Sequence, residues 1–285
     1  MKTEPSITEL LHALTQSLSS SVEQPHRSAL VLLASVLGKP IPWIIAHQDE
    51  CLTPDQHKML QALADRLIAG EPLAYLTGKQ AFFEHDFIVS PAVLIPRPET
   101  ELLVETANAW LETHPSASRI LDVGTGSGCI PISILLANPS LSAMATDISP
   151  DALNIARQNA QALGVSPRIS FEEANLLPSA IEKFDVVTAN LPYVPSAKVQ
   201  TINSVAWEPM QAMDGGEDGF QLIEQLLESL PPWLAEESLV LLEIEATLGQ
   251  EALGLAQRYF PASQVTLHQD LAGLDRMVAI ERKPS

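Results

Sequence analysis

The 285-residue sequence carries 35 acidic against 16 basic side chains, a formal charge of −19, and 46% of its residues are apolar. That apolar share is enough for the cores of one large and one smaller domain. The acidic balance excludes extended nucleic-acid binding, which depends on lysine and arginine neutralising phosphates. The two cysteines, Cys51 and Cys129, are far apart and form no CxxC pair, which points to reduced thiols in a cytoplasmic protein and away from a disulfide framework or a zinc site. Residues 1–20 carry Glu4 and Glu9 and lack the apolar core of a signal peptide. No apolar run nears the roughly 20 residues of a membrane span.

The first 75 or so residues read as helical. Ser6 and Glu9 form a capping-box pattern ahead of Ile7, Leu10, Leu11, Leu14 and Leu18 at helical spacing. A second apolar helix runs over 25–37 and stops at Gly38. Thr53-Pro54-Asp55-Gln56 supplies an N-cap, a proline at the first helical position and an N3 glutamine for a third helix, through Leu60, Leu63 and Leu67 to Gly70. The histidines of this part, His12, His26, His47 and His57, show no metal-ligand spacing.

Residues 81–95 read as a β-hairpin with its turn at Ser90-Pro91. The domain boundaries expected are a helical bundle over 1–78, a hairpin linker over 79–96 and a catalytic domain over 97–285. Pro96-Arg97-Pro98-Glu99-Thr100-Glu101 closes the strand and opens a helix, either as a plain helix start or as a functional loop. From there strands over 119–123, 142–147, 168–172 and 184–189 alternate with helices over 129–137 and 150–163. Helices over 220–230 and 248–259 and strands over 239–244, 264–268 and 276–280 complete the chain. This order predicts an α/β fold, a mostly parallel sheet covered on both faces, with the last strand antiparallel.

Chemistry concentrates where strands end. Asp122-Val123-Gly124-Thr125-Gly126-Ser127-Gly128 is a strand end, a glycine-rich turn and a helix start. Glycines let the backbone approach a ligand closely, and the free amides of a helix N-terminus meet polar groups. Asp147 closes the next strand, where a carboxylate accepts both hydroxyls of a ribose. The ligand expected is therefore a nucleoside. The spacing is GxGxG, not the GxGxxG of dinucleotide enzymes, which weakens a dehydrogenase reading. After the apolar strand Phe184 to Ala189 comes Asn190-Leu191-Pro192-Tyr193. Pro192 pushes Leu191 into extended geometry, so Asn190 Oδ1 and the Leu191 carbonyl form a pair of acceptors for a planar NH2 group.

With these motifs the chain resembles the class I S-adenosylmethionine methyltransferases, and more narrowly the glutamine N5-methyltransferases that modify peptide chain release factors. The resemblance also rests on Gly70 to Gly78, on Leu94 to Glu101, on Glu208-Pro209 with Asp214 to Gly219, and on Asp270 to Arg276. It implies S-adenosylmethionine as cofactor, held by Asp122, by the backbone of Gly124, Thr125, Gly126, Ser127 and Gly128, by Asp147 at the ribose, and by Asn190 where cofactor and substrate meet. Asn175 stands near the adenine, where the family usually has an acid. Asn190, Leu191, Pro192 and Tyr193 then hold and activate the glutamine of a Gly-Gly-Gln loop, with Leu191 in place of the family's usual proline and Tyr193 walling the pocket. A monomer is expected, with the helical part docking the protein substrate. Two other readings remain: methylation of a ribosomal-protein glutamine or a nucleic-acid amino group, and a binding module that holds the cofactor without turnover.

Overall fold

The computed structural model describes residues 5–199 and 207–284. The chain divides into two units, Met1–Lys79 and Gln80–Ser285. The first contains α1 (Ile7–Leu18), α2 (Pro25–Leu37), α3 (Ile41–Ala46), α4 (Pro54–Ile68) and α5 (Leu73–Thr77). Both capping boxes form, Ser6 with Glu9 and Thr53 with Gln56, so α1 and α4 begin where these side chains satisfy orphan amides. Ile7, Leu10, Leu14 and Leu18 of α1 share one apolar cluster with Leu32 and Leu33 of α2 and with Leu60, Leu63 and Leu67 of α4. The helices α3 and α5 were absent from the sequence reading, because five or six residues are too few to display a period.

The second unit opens with a hairpin, β1 (Lys79–Phe82) and β2 (His85–Ile88). Its turn lies at Phe83-Glu84 and not at Ser90-Pro91, and residues 93–95 form no strand. Phe83 and Glu84 both take positive φ, 45° and 67°, the geometry a two-residue hairpin turn requires. No glycine marks the place. A carboxylate distant in sequence secures it instead, since the Phe83 N–H donates to Glu101 Oε1 at 2.9 Å.

The remaining elements are α6 (Glu101–Thr113), β3 (Arg119–Val123), α7 (Cys129–Ala137), β4 (Ser142–Asp147), α8 (Pro150–Ala162), β5 (Ile169–Glu173), β6 (Phe184–Ala189), the short α9 (Ser196–Val199), α10 (Gln221–Ser229), β7 (Leu234–Glu243), α11 (Gly249–Tyr259), β8 (Gln264–Gln269) and β9 (Asp275–Arg282). Seven strands form one sheet in the order β5-β4-β3-β6-β7-β9-β8. Neighbours from β5 to β7 are parallel, and β9 runs antiparallel between β7 and β8. This is the class I methyltransferase fold. Alternating side chains feed two cores: Ile120, Val186, Leu239 and Leu241 pack with α6 and α7 on one face, and Leu121, Val187, Val240 and Leu242 with α10 and α11 on the other.

Strand β7 starts five residues earlier than its apolar run suggests. Ala235, Glu236, Glu237 and Ser238 disguise its first half, and the β6 register shifts between Phe184 and Val186. Asp185 at that irregularity uses one carboxylate oxygen to accept the Ser118 and Arg119 amides, at 2.8 and 2.9 Å.

Candidate active site

Strands β3, β4 and β6 all end at one edge of the sheet, where ligands of open parallel sheets sit. A cavity of about 580 Å³ opens there, within the size range of small-molecule sites. Its walls include Gly124 to Ser127, Asp147 to Ser149, Ala174 to Leu176 and Asn190 to Pro192.

The loop after β3 is fastened to β4. The Gly124 and Thr125 amides both donate to the Thr146 carbonyl at 2.9 Å, and the Gly126 amide donates to Asp147 Oδ2 at 2.8 Å. Gly124 has φ of 71°, and a Cβ there would lie 2.9 Å from Leu191 Cδ2, so this glycine lets the loop meet the Asn190 segment. Gly128 serves packing. In left-handed geometry it caps α7, and a Cβ would press on Ile132 at 2.9 Å and Ala156 at 3.2 Å, closing α7 onto α8. Gly128 does not line the cavity.

Asp147 keeps one carboxylate oxygen on Gly126 N–H and the other on Ser149 N–H, the latter at 2.9 Å. Burial raises its pKa, opposed by those backbone donors. Each oxygen retains acceptor capacity. Asp122 lies deeper. It is 1% exposed, accepts from Thr188 Oγ1 at 2.6 Å, and is absent from the cavity wall. Burial pushes its pKa up to about 7 against the pull of the Thr125 and Thr188 hydroxyls. It stands under the glycine loop. Asn175 is exposed and on the wall, beside Leu176, whose left-handed φ of 72° is held by Thr146 Oγ1 donating to the Leu176 carbonyl at 2.6 Å.

Asn190 follows β6 directly. Its Nδ2 donates to Thr100 Oγ1 at 3.2 Å, and among the described residues no protein donor occupies Asn190 Oδ1 or the Leu191 carbonyl. Leu191 is 4% exposed. Tyr193 differs from its expected place. It does not line the cavity, because its hydroxyl donates to Glu243 Oε1 at 3.3 Å, and burial beside that carboxyl raises its pKa.

The Asp214 to Gly219 loop wraps this tetrapeptide. The Val194 amide donates to the Met213 carbonyl at 3.0 Å and the Gly215 amide to the Val194 carbonyl at 2.9 Å. A Cβ on Gly215 would meet the Pro192 carbonyl at 2.7 Å and Tyr193 Cα at 2.8 Å, both backbone atoms. Glu208, 4% exposed, accepts from the Ile95 amide at 3.1 Å and from Arg97 Nη2 at 2.6 Å. The segments around Pro96 and Glu208, far apart in sequence, thus form one rim.

Sequence reasoning left out Thr100, Glu243 and Asn159. Asn159, fully buried in α8, donates to the Ile88 and Ser127 carbonyls and accepts the Ile88 amide, tying hairpin and glycine loop together. Glu243 offered a signal, an acid in the apolar run from Leu239 to Ile244. Among the described residues no three His, Cys, Asp or Glu side chains gather to hold a metal ion, and no helix is long and apolar enough to cross a membrane.

The donor set suits an adenosyl sulfonium compound: the half-buried Asp147 carboxylate with spare lone pairs for a diol, a loop whose Gly124 leaves no room for a Cβ beside Leu191, and the exposed Asn175 on the cavity wall. Comparison with known proteins agrees. Residues 9–78 match the PrmC N-terminal domain and residues 114–228 a methyltransferase domain. A release factor glutamine methyltransferase of Moorella thermoacetica is 37% identical over 273 residues, spanning 95% of this chain and 96% of its own. The protein of the same name from Bordetella pertussis is 35% identical over 266 residues, spanning 93% and 97%. A Pyrococcus furiosus methyltransferase structure covers 78% of this chain and 98% of its own with a TM-score of 0.51; at 17% identity the likeness concerns the fold.

Proposed function

The chain belongs to the release factor glutamine methyltransferase family, and from that premise we propose that it transfers a methyl group from S-adenosylmethionine to the side-chain amide nitrogen of the glutamine in a release factor's Gly-Gly-Gln loop. The cofactor supplies a methyl group activated by the sulfonium. What the protein must supply is alignment and a grip on a poor nucleophile, since an amide nitrogen delocalises its lone pair into the carbonyl.

Asp147 holds the ribose hydroxyls, the Gly124 to Ser127 backbone the methionyl part and Asn175 the adenine. Asp122 contributes from beneath the loop. Asn190 Oδ1 and the Leu191 carbonyl each accept one N–H of the substrate amide, orienting its nitrogen at the cavity and stabilising positive charge that develops on it. In-line placement at about 3 to 3.5 Å provides the rest of the acceleration. The substrate nitrogen sheds its proton after transfer, so no strong base is needed beforehand. Pro192 restrains the Leu191 carbonyl, and Tyr193 anchors the tetrapeptide from behind.

One observation carries this reading. Thr100 takes the nitrogen end of Asn190, leaving the oxygen end for a donor, in the cavity shared with Asp147 and the glycine loop. The acidic balance favours a protein substrate over nucleic acid. A cytoplasmic monomer with a catalytic part over 97–285, a linker over 79–96 and a substrate-docking helical part over 1–78 completes the proposal.

Asn190→Ala tests it. Turnover should fall by about a hundredfold or more, the loss of one oriented group at a reacting centre, while cofactor affinity measured by calorimetry stays within about tenfold. Turnover near the parent value would remove Asn190 from the reaction.

A further inference from the structure

We propose that the turn between β8 and β9 is a docking element for the protein substrate, with Leu271 at its tip as the apolar contact. The inference rests on the reading that the acceptor glutamine belongs to a release factor.

The turn is rigid before any partner arrives. Asp270 organises it: Oδ1 accepts the Ala272 and Leu274 amides at 2.8 and 3.0 Å, and Oδ2 accepts Arg276 Nε at 2.8 Å. The Asp270 amide donates to the Leu274 carbonyl and the Gly273 amide to the Asp270 carbonyl, both at 2.9 Å. Gly273 supplies the left-handed φ of 77° that so tight a turn needs. The side chain this framework presents is Leu271, which is fully exposed, and Leu274 on the same turn is exposed as well. A leucine in water contributes nothing to folding, whereas a partner that covers it gains from burying it.

Sheet register places the turn beside the active site. Ala189, the last residue of β6, pairs with Leu242 of β7. On the other side of β7, Met277 of β9 pairs with Glu243, and the Ile244 amide donates to the Arg276 carbonyl. Residues 270–275 therefore stand at the edge where β6 passes into Asn190. In the sheet β9 and β8 lie two and three strands from β6, which at about 4.8 Å per strand sets the turn about 10 to 15 Å to the side of Asn190. An interface of ordinary size covers about 800 Å² of each partner, a disc of radius about 16 Å. A release factor seated with its glutamine at Asn190 has this turn within its footprint.

The distribution of exposed apolar side chains agrees. Among the described residues from 80 onward the large ones are Ile148, Ile181, Met210, Leu271 and Leu274. Ile148 and Met210 are on the cavity wall, and Ile181 alone, ahead of β6, belongs to the opposite end of the strands. Exposed apolar residues scattered singly need no explanation. Four of these five gathered at the edge that must receive a protein do.

The experiment uses the full chain with a release factor and S-adenosylmethionine. Leu271→Ser should raise KM for the release factor by about tenfold, with kcat and KM for the cofactor within about twofold, the pattern of lost uniform binding. Leu271→Met, which keeps an apolar tip, should stay within about twofold of the parent throughout. Asp270→Ala leaves Leu271 in place but frees the turn, and should raise KM for the release factor by a smaller factor, because docking must then order the loop. A parental KM for the release factor in Leu271→Ser would overturn the proposal. So would a defect confined to kcat or to cofactor KM, or a Leu271→Met protein as impaired as Leu271→Ser. Failure of the underlying reading looks different, because the parent protein would then leave the release factor unmethylated, and this proposal would fall with it.

Discussion

Asn190 depends on what holds its other end. Thr100, Tyr193 and Glu243 come from three different segments, and the Thr100 to Asn190 bond spans 90 residues of sequence. The tetrapeptide announces itself in the sequence because proline and asparagine are adjacent. Its anchors do not, since a threonine before a helix and a glutamate in a strand are ordinary residues until the fold brings each to the tetrapeptide. Asp122 shows the same limit. Its position in the glycine motif suggests ligand contact, whereas the structure sets it below the loop. Its folded pKa of about 7 against an ordinary 3.8 means that the fold favours the protonated acid. Stability contributed by that proton is fully present below pH 3.8, is lost as pH rises toward 7, and stays lost above it. Asp122→Asn should therefore melt higher than the parent at pH 8, by at most on the order of 4 kcal/mol, and the two should converge near pH 4. A cofactor-free melting series in which the variant is the less stable protein at pH 8 would contradict this account of Asp122.

At the scale of elements, strong local signals were legible and nonlocal ones were not. The capping boxes of α1 and α4 formed because cap and N3 residue lie within one turn. The strand and helix alternation from Arg119 to Ala189 was readable because β3 and β6 at its centre are buried on both faces and read as continuous apolar runs. The hairpin turn was misplaced because Phe83 takes positive φ on the strength of Glu101, eighteen residues away. The Asp214 to Gly219 loop carries the clearest element-level consequence. Gly215 has ordinary φ, so its demand for glycine is purely one of space against the Pro192 carbonyl and Tyr193 Cα. Gly215→Ala should displace the tetrapeptide and cut turnover by about tenfold or more, since small misplacements at a reacting centre are costly. Cofactor affinity should change far less. Parental kcat in that variant, measured alongside calorimetric binding, would show that the loop does not fix the Asn190 segment.

Across the whole molecule, two units each close their own apolar core, and a net charge of −19 sets the character of the surface. The sheet gathers the Asp147 carboxylate, a glycine loop and an oriented amide at one edge, because β4, β3 and β6 lie side by side although their ends are far apart in sequence. That convergence follows from parallel topology, which points the ends of β3, β4 and β6 the same way. The central claim is that two oxygens hold a flat NH2 before an activated methyl group. Its most direct test is fragment mass spectrometry of a release factor after incubation with the protein and S-adenosylmethionine. One added methylene on the amide nitrogen of the Gly-Gly-Gln glutamine, absent with Asn190→Ala, is the expected result. An unmodified glutamine, or a methyl group found on oxygen or on another residue, would contradict it.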